Sequence, residues 1–206
     1  GEGGRWIGVS KEKRVLDVVL GITNNYKRNG VATNTYLTGG AYVNSAANTL
    51  VDWTDIENAE LLFDAITDPN TGEPVLVMPD TVIVPTALRR TANRILMASE
   101  VAHVDNQANA ATVRTFSDNP VRQTYGGSAY RVLSNQYVKA RSGSAAKWYI
   151  GQPKKAFAYM EVWAIETLQA AANSEKEFSQ DIWMQFKASE RGVAQVVEPR
   201  YMVENT

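Results

Sequence analysis

Cysteine is absent from the 206 residues and histidine occurs once, at His103. No disulfide and no thiolate metal site can form, and a multi-histidine metal centre within one chain is excluded. The formal net charge is only -1, so the chain lacks the basic excess typical of nucleic-acid-binding domains. No apolar run approaches the roughly 20 residues that a membrane-spanning helix requires. The opening Gly1-Glu-Gly-Gly4 is more polar than a signal peptide. There is no Gly-rich phosphate loop followed by Lys-Ser/Thr, and no Gly-x-Ser-x-Gly elbow. What is present is an ordinary apolar share of 44%, enough to bury a core for one domain or two small lobes.

Periodicity places the expected elements. Residues 11–22 fit a short amphipathic helix with Ser10 as N-cap, Val15, Val18, Val19 and Ile22 on one face, and Asn24-Asn25 ending it. Residues 26–50 scatter Tyr36, Leu37, Tyr42 and Val43 among Asn, Thr and Gly. That is the pattern of a long extended excursion, and tyrosines along such an arm suit packing on another surface. Thr54-Asp-Ile-Glu57 has the form of a capping box, followed by a stripe of Ile56, Ala59, Leu62, Phe63 and Ile66. Residues 68–72 are a turn. Residues 75–78 and 81–84 are short β-branched runs broken by Pro79. Thr86 is expected to cap a helix with Leu88, Ala92, Ile95 and Leu96 inward and Arg89, Arg90 and Arg94 outward.

Residues 100–129 suggest loops plus one short strand, 130–138 a strand, 141–147 a loop, and Trp148-Tyr-Ile150 a buried element. Residues 156–169 combine helix-favouring alanines with strand-favouring aromatics and are assigned to strand. Ser174-Glu-Lys-Glu177 is a second capping box. From Phe178 to Val203 polar and apolar residues alternate on both sides of Glu190-Arg-Gly192, the pattern of a terminal β-hairpin that carries the chain's end into the fold.

Candidate chemistry is sparse. His103 is the sole histidine base, expected just after a helix end where it would meet terminal carbonyls. Asp52, Asp55 and Glu57 offer either a divalent-cation site or the negative charge that a helix N-terminus favours, and the second fits better. Arg89, Arg90 and Arg94 form a row suited to phosphate or, more simply, to a solvated or subunit-contacting helix face. Ser142-Gly-Ser144 has no nearby base. Glu161 with Glu166 could serve as a hydrolase pair, though no spacing supports it. Trp148, Trp163 and Trp183 are expected in core or interface.

The order of these features resembles the tailed-phage major capsid proteins of the Hong Kong 97 fold. The helix following Thr54 resembles the family's spine helix. The run from Gly72 to Ser99, with Val-Met-Pro79, Val84-Pro85 and a helix ending in small residues, resembles its strand–Val-Pro–helix pattern. Asn119-Pro120 with Tyr130-Arg-Val-Leu-Ser-Asn135 resembles its axial domain, and Phe178, Asp181, Phe186, Glu190-Arg-Gly192 and Pro199-Arg200 its closing strands.

The resemblance implies an α+β fold with a peripheral domain (spine helix plus β-strands), an axial domain and an extended loop. The implied divisions are an N-terminal segment and short helix (1–26), the extended loop over a neighbouring subunit (27–50), a peripheral part (51–99), an axial part (100–175) and a C-terminal helix turn and hairpin (176–206). A long N-terminal arm or scaffolding segment would be missing or removed. Lys27 lies at the loop's root without a matching crosslink partner. The implied function is a non-enzymatic shell subunit of an icosahedral phage head, assembled in the host cytoplasm. It would need no cofactor or metal and would associate with further copies of itself as pentamers and hexamers. Scaffold or portal proteins are further partners, and the shell would enclose DNA without sequence-specific binding and without a membrane. Tyr36, Tyr42, Arg89, Arg90 and Arg94 are the expected assembly contacts, since Tyr and Arg are enriched at interfaces. A tail- or portal-associated structural protein and a small-ligand or hydrolase domain are the alternatives. Cellular nanocompartment shells share the fold.

Overall fold

The computed structural model describes residues 2–22, 26–28, 30–105, 113–122, 130–169 and 186–206. In chain order the elements are α1 (Glu2–Val19), β1 (Tyr26–Arg28), β2 (Val31–Thr33), β3 (Ser45–Ala46), α2 (Trp53–Asp64), β4 (Thr81–Val84), α3 (Arg89–Met97), β5 (Glu100–Asp105), β6 (Val113–Asp118), β7 (Arg131–Ser134), α4 (Gln136–Ser142), β8 (Trp148–Gly151), α5 (Pro153–Ala156), β9 (Phe157–Gln169), β10 (Phe186–Val196) and β11 (Met202–Asn205). The fold is mixed α+β, as the sequence leads one to expect.

Five short strands form the central sheet in the order β3-β11-β8-β4-β7. The inner pairs β11–β8 and β8–β4 are antiparallel, and the outer pairs β4–β7 and β11–β3 are parallel. Every residue of β4, β8 and β11 is buried, because helices cover both faces and these strands have no solvent side. Successive side chains alternate between the layers. Val82, Val84, Trp148, Ile150 and Val203 join Ile56, Ala59 and Phe63 of α2 and Ala92, Ile95 and Leu96 of α3. Ile83, Tyr149 and Met202 meet Val15, Leu16, Val19 and Leu20 at the end of α1, with Val138 of α4 and Ala156 of α5. The predicted apolar stripes of α2 and α3 are thus the core-facing ones.

Several local expectations change. The first helix begins far upstream of Ser10, which lies exposed in its middle. Gly3, Gly4 and Gly8 weaken helix propensity, but this part of α1 lies against β9 and β10, and tertiary packing decides marginal helices. Ile22 lies beyond the helix and is exposed, and Asn24-Asn25 fall outside the described residues. The capping box of α2 is Asp52 with Asp55, two residues ahead of the expected Thr54 and Glu57. Asp52 accepts from Thr54 N and Thr54 Oγ1, and Asp55 accepts from the amides of Asp52 and Val51. Thr86 does not cap α3. The helix starts after Leu88 with no side-chain cap. Residues 75–78 form no strand, and Leu76 and Met78 are exposed beside Pro79.

Residues 100–105 and 113–118 pair as two antiparallel strands, β5 with β6, where the sequence suggested loops plus one short strand. Asn135 caps α4, so the strand expected to reach residue 138 stops at Ser134. Ser174-Glu-Lys-Glu177 lies outside the described residues, as do Phe178, Asp181 and Trp183. The largest revision concerns Glu190-Arg-Gly192. These residues lie inside β10 at a pair of register shifts and make no turn. The extra residues at both shifts belong to β9, which runs from Glu166 to Trp163 to Glu161 while β10 runs from Ser189 to Arg191 to Gly192. The chain's end still enters the fold, by a different route: β11 sits between β8 and β3.

The segment expected as one long excursion divides in two. β1 and β2 form a small hairpin. From Thr35 onward the chain is sewn into the body. Asn44 is fully buried; its Nδ2 donates to the carbonyls of Thr35, Pro199 and Met202 at 3.0–3.1 Å, and its Oδ1 accepts from Leu37 N at 2.7 Å. Trp148 Nε1 donates to Asn48 O at 2.8 Å. Asn119 does similar work elsewhere, donating to the Ile95 and Ala98 carbonyls at the end of α3, where helix carbonyls lack partners.

Candidate assembly surfaces

Beyond the sheet, β9 and β10 form a two-stranded antiparallel ribbon of thirteen and eleven residues. An isolated pair of strands is marginal in water. Here α1 lies across one face. Gly4 approaches Thr167 and Gly8 approaches Ile165, so the helix backbone sits close to the strand. Toward the root, Glu190 is the hub. Its side chain is 2% exposed and accepts from Tyr159 Oη and from the Arg14 guanidinium. Arg14 also donates to Gly192 O at 3.3 Å. Lys11 Nζ reaches Glu161 at 3.0 Å and lies 4.4 Å over the Tyr159 ring. Tyr159 in turn lies against Gly192, where a Cβ would overlap its ring.

These contacts set the charges. The hydrogen bond from Tyr159, aided by Arg14, holds the Glu190 carboxyl below the usual carboxylate range against the opposing effect of burial. The same bond raises the Tyr159 phenol, and the bond to Glu161 raises Lys11. Each group is favoured in the form the cluster needs at neutral pH.

The opposite face of the ribbon has no cover among the described residues. Met160 stands directly across from Val193, with Val162 and Leu168 further along, and all four are exposed. Trp163 is 46% exposed with the Arg191 guanidinium 5.5 Å from its ring centre. Single exposed apolar residues are ordinary, whereas a continuous row of them marks an interaction surface.

The five expected contact residues fall in different places. Tyr36 is engaged within the chain: its hydroxyl donates to Val19 O at 2.5 Å, and its ring centre lies 5.4 Å from that of Tyr149. Burial lifts its phenol well above the usual value. Tyr42 packs half-buried on the α2–α3 core. Arg89, Arg90 and Arg94 are exposed along α3, and no carboxylate lies within 4 Å of any of them among the described residues.

The catalytic candidates are not brought together. His103 lies on β5 opposite Thr115. Glu161 and Glu166 stand five positions apart and lie opposite Gly192 and Ser189 at different points of the ribbon. Ser142 Oγ donates to Ser144 O in a local turn. Asp52 and Asp55 are occupied by capping. No group of three or more metal-ligand side chains occurs among the described residues, and no helix among them is long and apolar enough to cross a membrane.

Sequence reasoning missed the two residues that organise these surfaces. Asn44 looked like one more polar loop residue. Glu190 looked like part of a turn because Arg191-Gly192 follows it. No protein among the curated proteins matches this chain. The sequence profile of a family described as phage capsid protein matches residues 2–205. A match over nearly the whole chain shows that the protein belongs to the phage capsid protein family.

Proposed function

We propose that this chain is a major capsid subunit of the Hong Kong 97 type, which assembles through repeated copies into pentamers and hexamers and closes an icosahedral shell around the phage genome. Membership of the capsid family supplies the structural role in the virion. The observation that carries the finer reading is the ribbon: one face is latched to α1, and the other presents Met160, Val162, Leu168 and Val193 to solvent. In a shell such a face is covered by the next copy. Each contact can be weak because closure makes the lattice stable through multivalency. Assembly in the host cytoplasm and contacts with scaffold or portal proteins belong to the same reading. DNA would be enclosed without sequence reading, in keeping with the near-zero net charge.

The test is light scattering after size-exclusion chromatography, with electron microscopy of the largest species. Pentamers, hexamers or closed shells are expected. Rings or tubes of other symmetry would place the chain in a tail or portal, and a monomer at every concentration and salt would overturn self-assembly.

A further inference from the structure

The two helices on one side of the sheet carry outward stripes of opposite sign. On α2, Glu57, Leu61 and Asp64 follow one another at helical spacings of four and three residues, and all three are exposed. On α3, Arg90, Arg94 and Met97 repeat the same spacing, again all exposed. Residues so spaced share one helix face. Each stripe covers seven residue steps, about 10 Å of helix at 1.5 Å per residue. Each therefore presents two like charges and one large apolar side chain, with Leu61 at 55% and Met97 at 70% exposure.

Neither stripe is neutralised by an ion pair among the described residues. None of Glu57, Asp64, Arg90 and Arg94 has an ion-pair partner within 4 Å among the described residues. The basic stripe is unfavourable in isolation, because Arg90 and Arg94 stand one turn apart on α3 and like charges so spaced repel. Arg89 and Arg90 also open α3, where the helix dipole disfavours cations and no acidic residue in the first turn offsets them. α2 packs over β11 and α3 over β7, three strands away in the sheet, and both also touch residues 120–122. The acidic and basic stripes are complementary in charge and in spacing, so a second copy can set one against the other.

We propose that neighbouring copies meet head-to-tail through these stripes, with Arg90, Arg94 and Met97 of one copy against Glu57, Leu61 and Asp64 of the next. This rests on the self-assembly proposed above and names one contact that carries it. A heterologous contact of this kind generates rings when its rotation closes. Opposed like charges at an interface cost several kcal/mol, which gives such a contact its register.

The experiment uses two double variants of the full chain, Glu57→Lys with Asp64→Lys, and Arg90→Glu with Arg94→Glu. All four positions are exposed, so circular dichroism should report a native fold in both. In the first variant both stripes are basic, and in the second both are acidic. Each alone should self-associate at least about tenfold more weakly than the unmodified chain, because like charges now face each other. An equimolar mixture should recover the original association, with a mass beyond a dimer and a loss at 0.5 M salt, where screening is within a few ångströms (~4 Å). Unmodified association in either variant alone would overturn the contact while leaving self-assembly standing. So would failure of the mixture to recover, or recovery that stops at a dimer. An arginine variant that assembles normally but no longer retains linear double-stranded DNA would assign the α3 stripe to the genome instead. If the unmodified chain never associates, self-assembly itself fails and the contact with it.

Discussion

The central sheet and the β9–β10 ribbon are built from similar residues and meet opposite fates. In β4 and β8, Thr-Val-Ile-Val and Trp-Tyr-Ile-Gly are buried on both faces by helices of the same chain. In β9, Met160, Val162, Trp163, Ile165 and Leu168 are all at least 37% exposed, although α1 lies along one side. Strand chemistry alone therefore does not decide burial; the supply of covering surface does. The sheet's cover comes from its own chain. Among the described residues the ribbon is covered on one face by α1, and under the proposed function a neighbouring copy covers the other.

Substitutions can break this contrast, and the sheet should give the largest effects. Gly151 has a φ of 151°, and a Cβ there would run into the Tyr201 carbonyl and lie 2.9 Å from Met202 Cα. Both obstacles are backbone and cannot rotate away. Gly151→Ala should lower unfolding free energy by roughly 3 kcal/mol or more, read by urea denaturation. Asn44→Ala comes next. It strands carbonyls and an amide inside the body, and should cost about 3 kcal/mol with a matching fall in melting temperature.

The ribbon should respond more to pH than to packing. Glu190 has a folded-state pKa below its unfolded value, so its contribution is present above the ordinary carboxylate pKa and fades as pH falls through the depressed value. Below pH ~4, hydrogen exchange of β9 and β10 should therefore speed up before that of the central sheet. Glu190→Gln should remove most of that pH dependence. Gly8→Ala should act in the opposite direction. Its Cβ would meet Ile165 Cδ1 at 4.0 Å, an ordinary contact, so the helix should gain up to ~1 kcal/mol in thermal unfolding. The smallest effect on stability belongs to the uncovered face. Met160→Ser with Val193→Ser should change unfolding by under ~0.5 kcal/mol while assembly, followed by light scattering, is lost.

The same contrast explains what the sequence reveals. The stripes of α2 and α3, the buried Trp148-Tyr-Ile150 and the strand at 157–169 are legible because hydrophobic periodicity records core contacts directly. Ser10, Thr54 and Thr86 mislead because several neighbouring Ser, Thr and Asp residues can serve as a cap, and the choice among them depends on where tertiary packing starts the helix. Glu190-Arg-Gly192 misleads because these residues favour a turn, yet pairing with β9 carries them through as strand. Tyr36 and Tyr42 have the composition of an arm, but long-range contacts that composition does not record, among them the hydrogen bonds of Asn44 and of Tyr36 and the pairing of β3 with β11, bring their segment into the body. Of the expected contact residues, the arginines of α3 keep the exposure that assembly requires, while the two tyrosines are already engaged.

The most direct measurement is hydrogen exchange on the chain before and after assembly, resolved to single strands. The sheet amides of β4, β8 and β11 should be protected equally in both states, while β9 and β10 should gain protection only in the assembled form. Equal protection of the ribbon in both states would contradict the claim that its open face awaits a neighbouring copy.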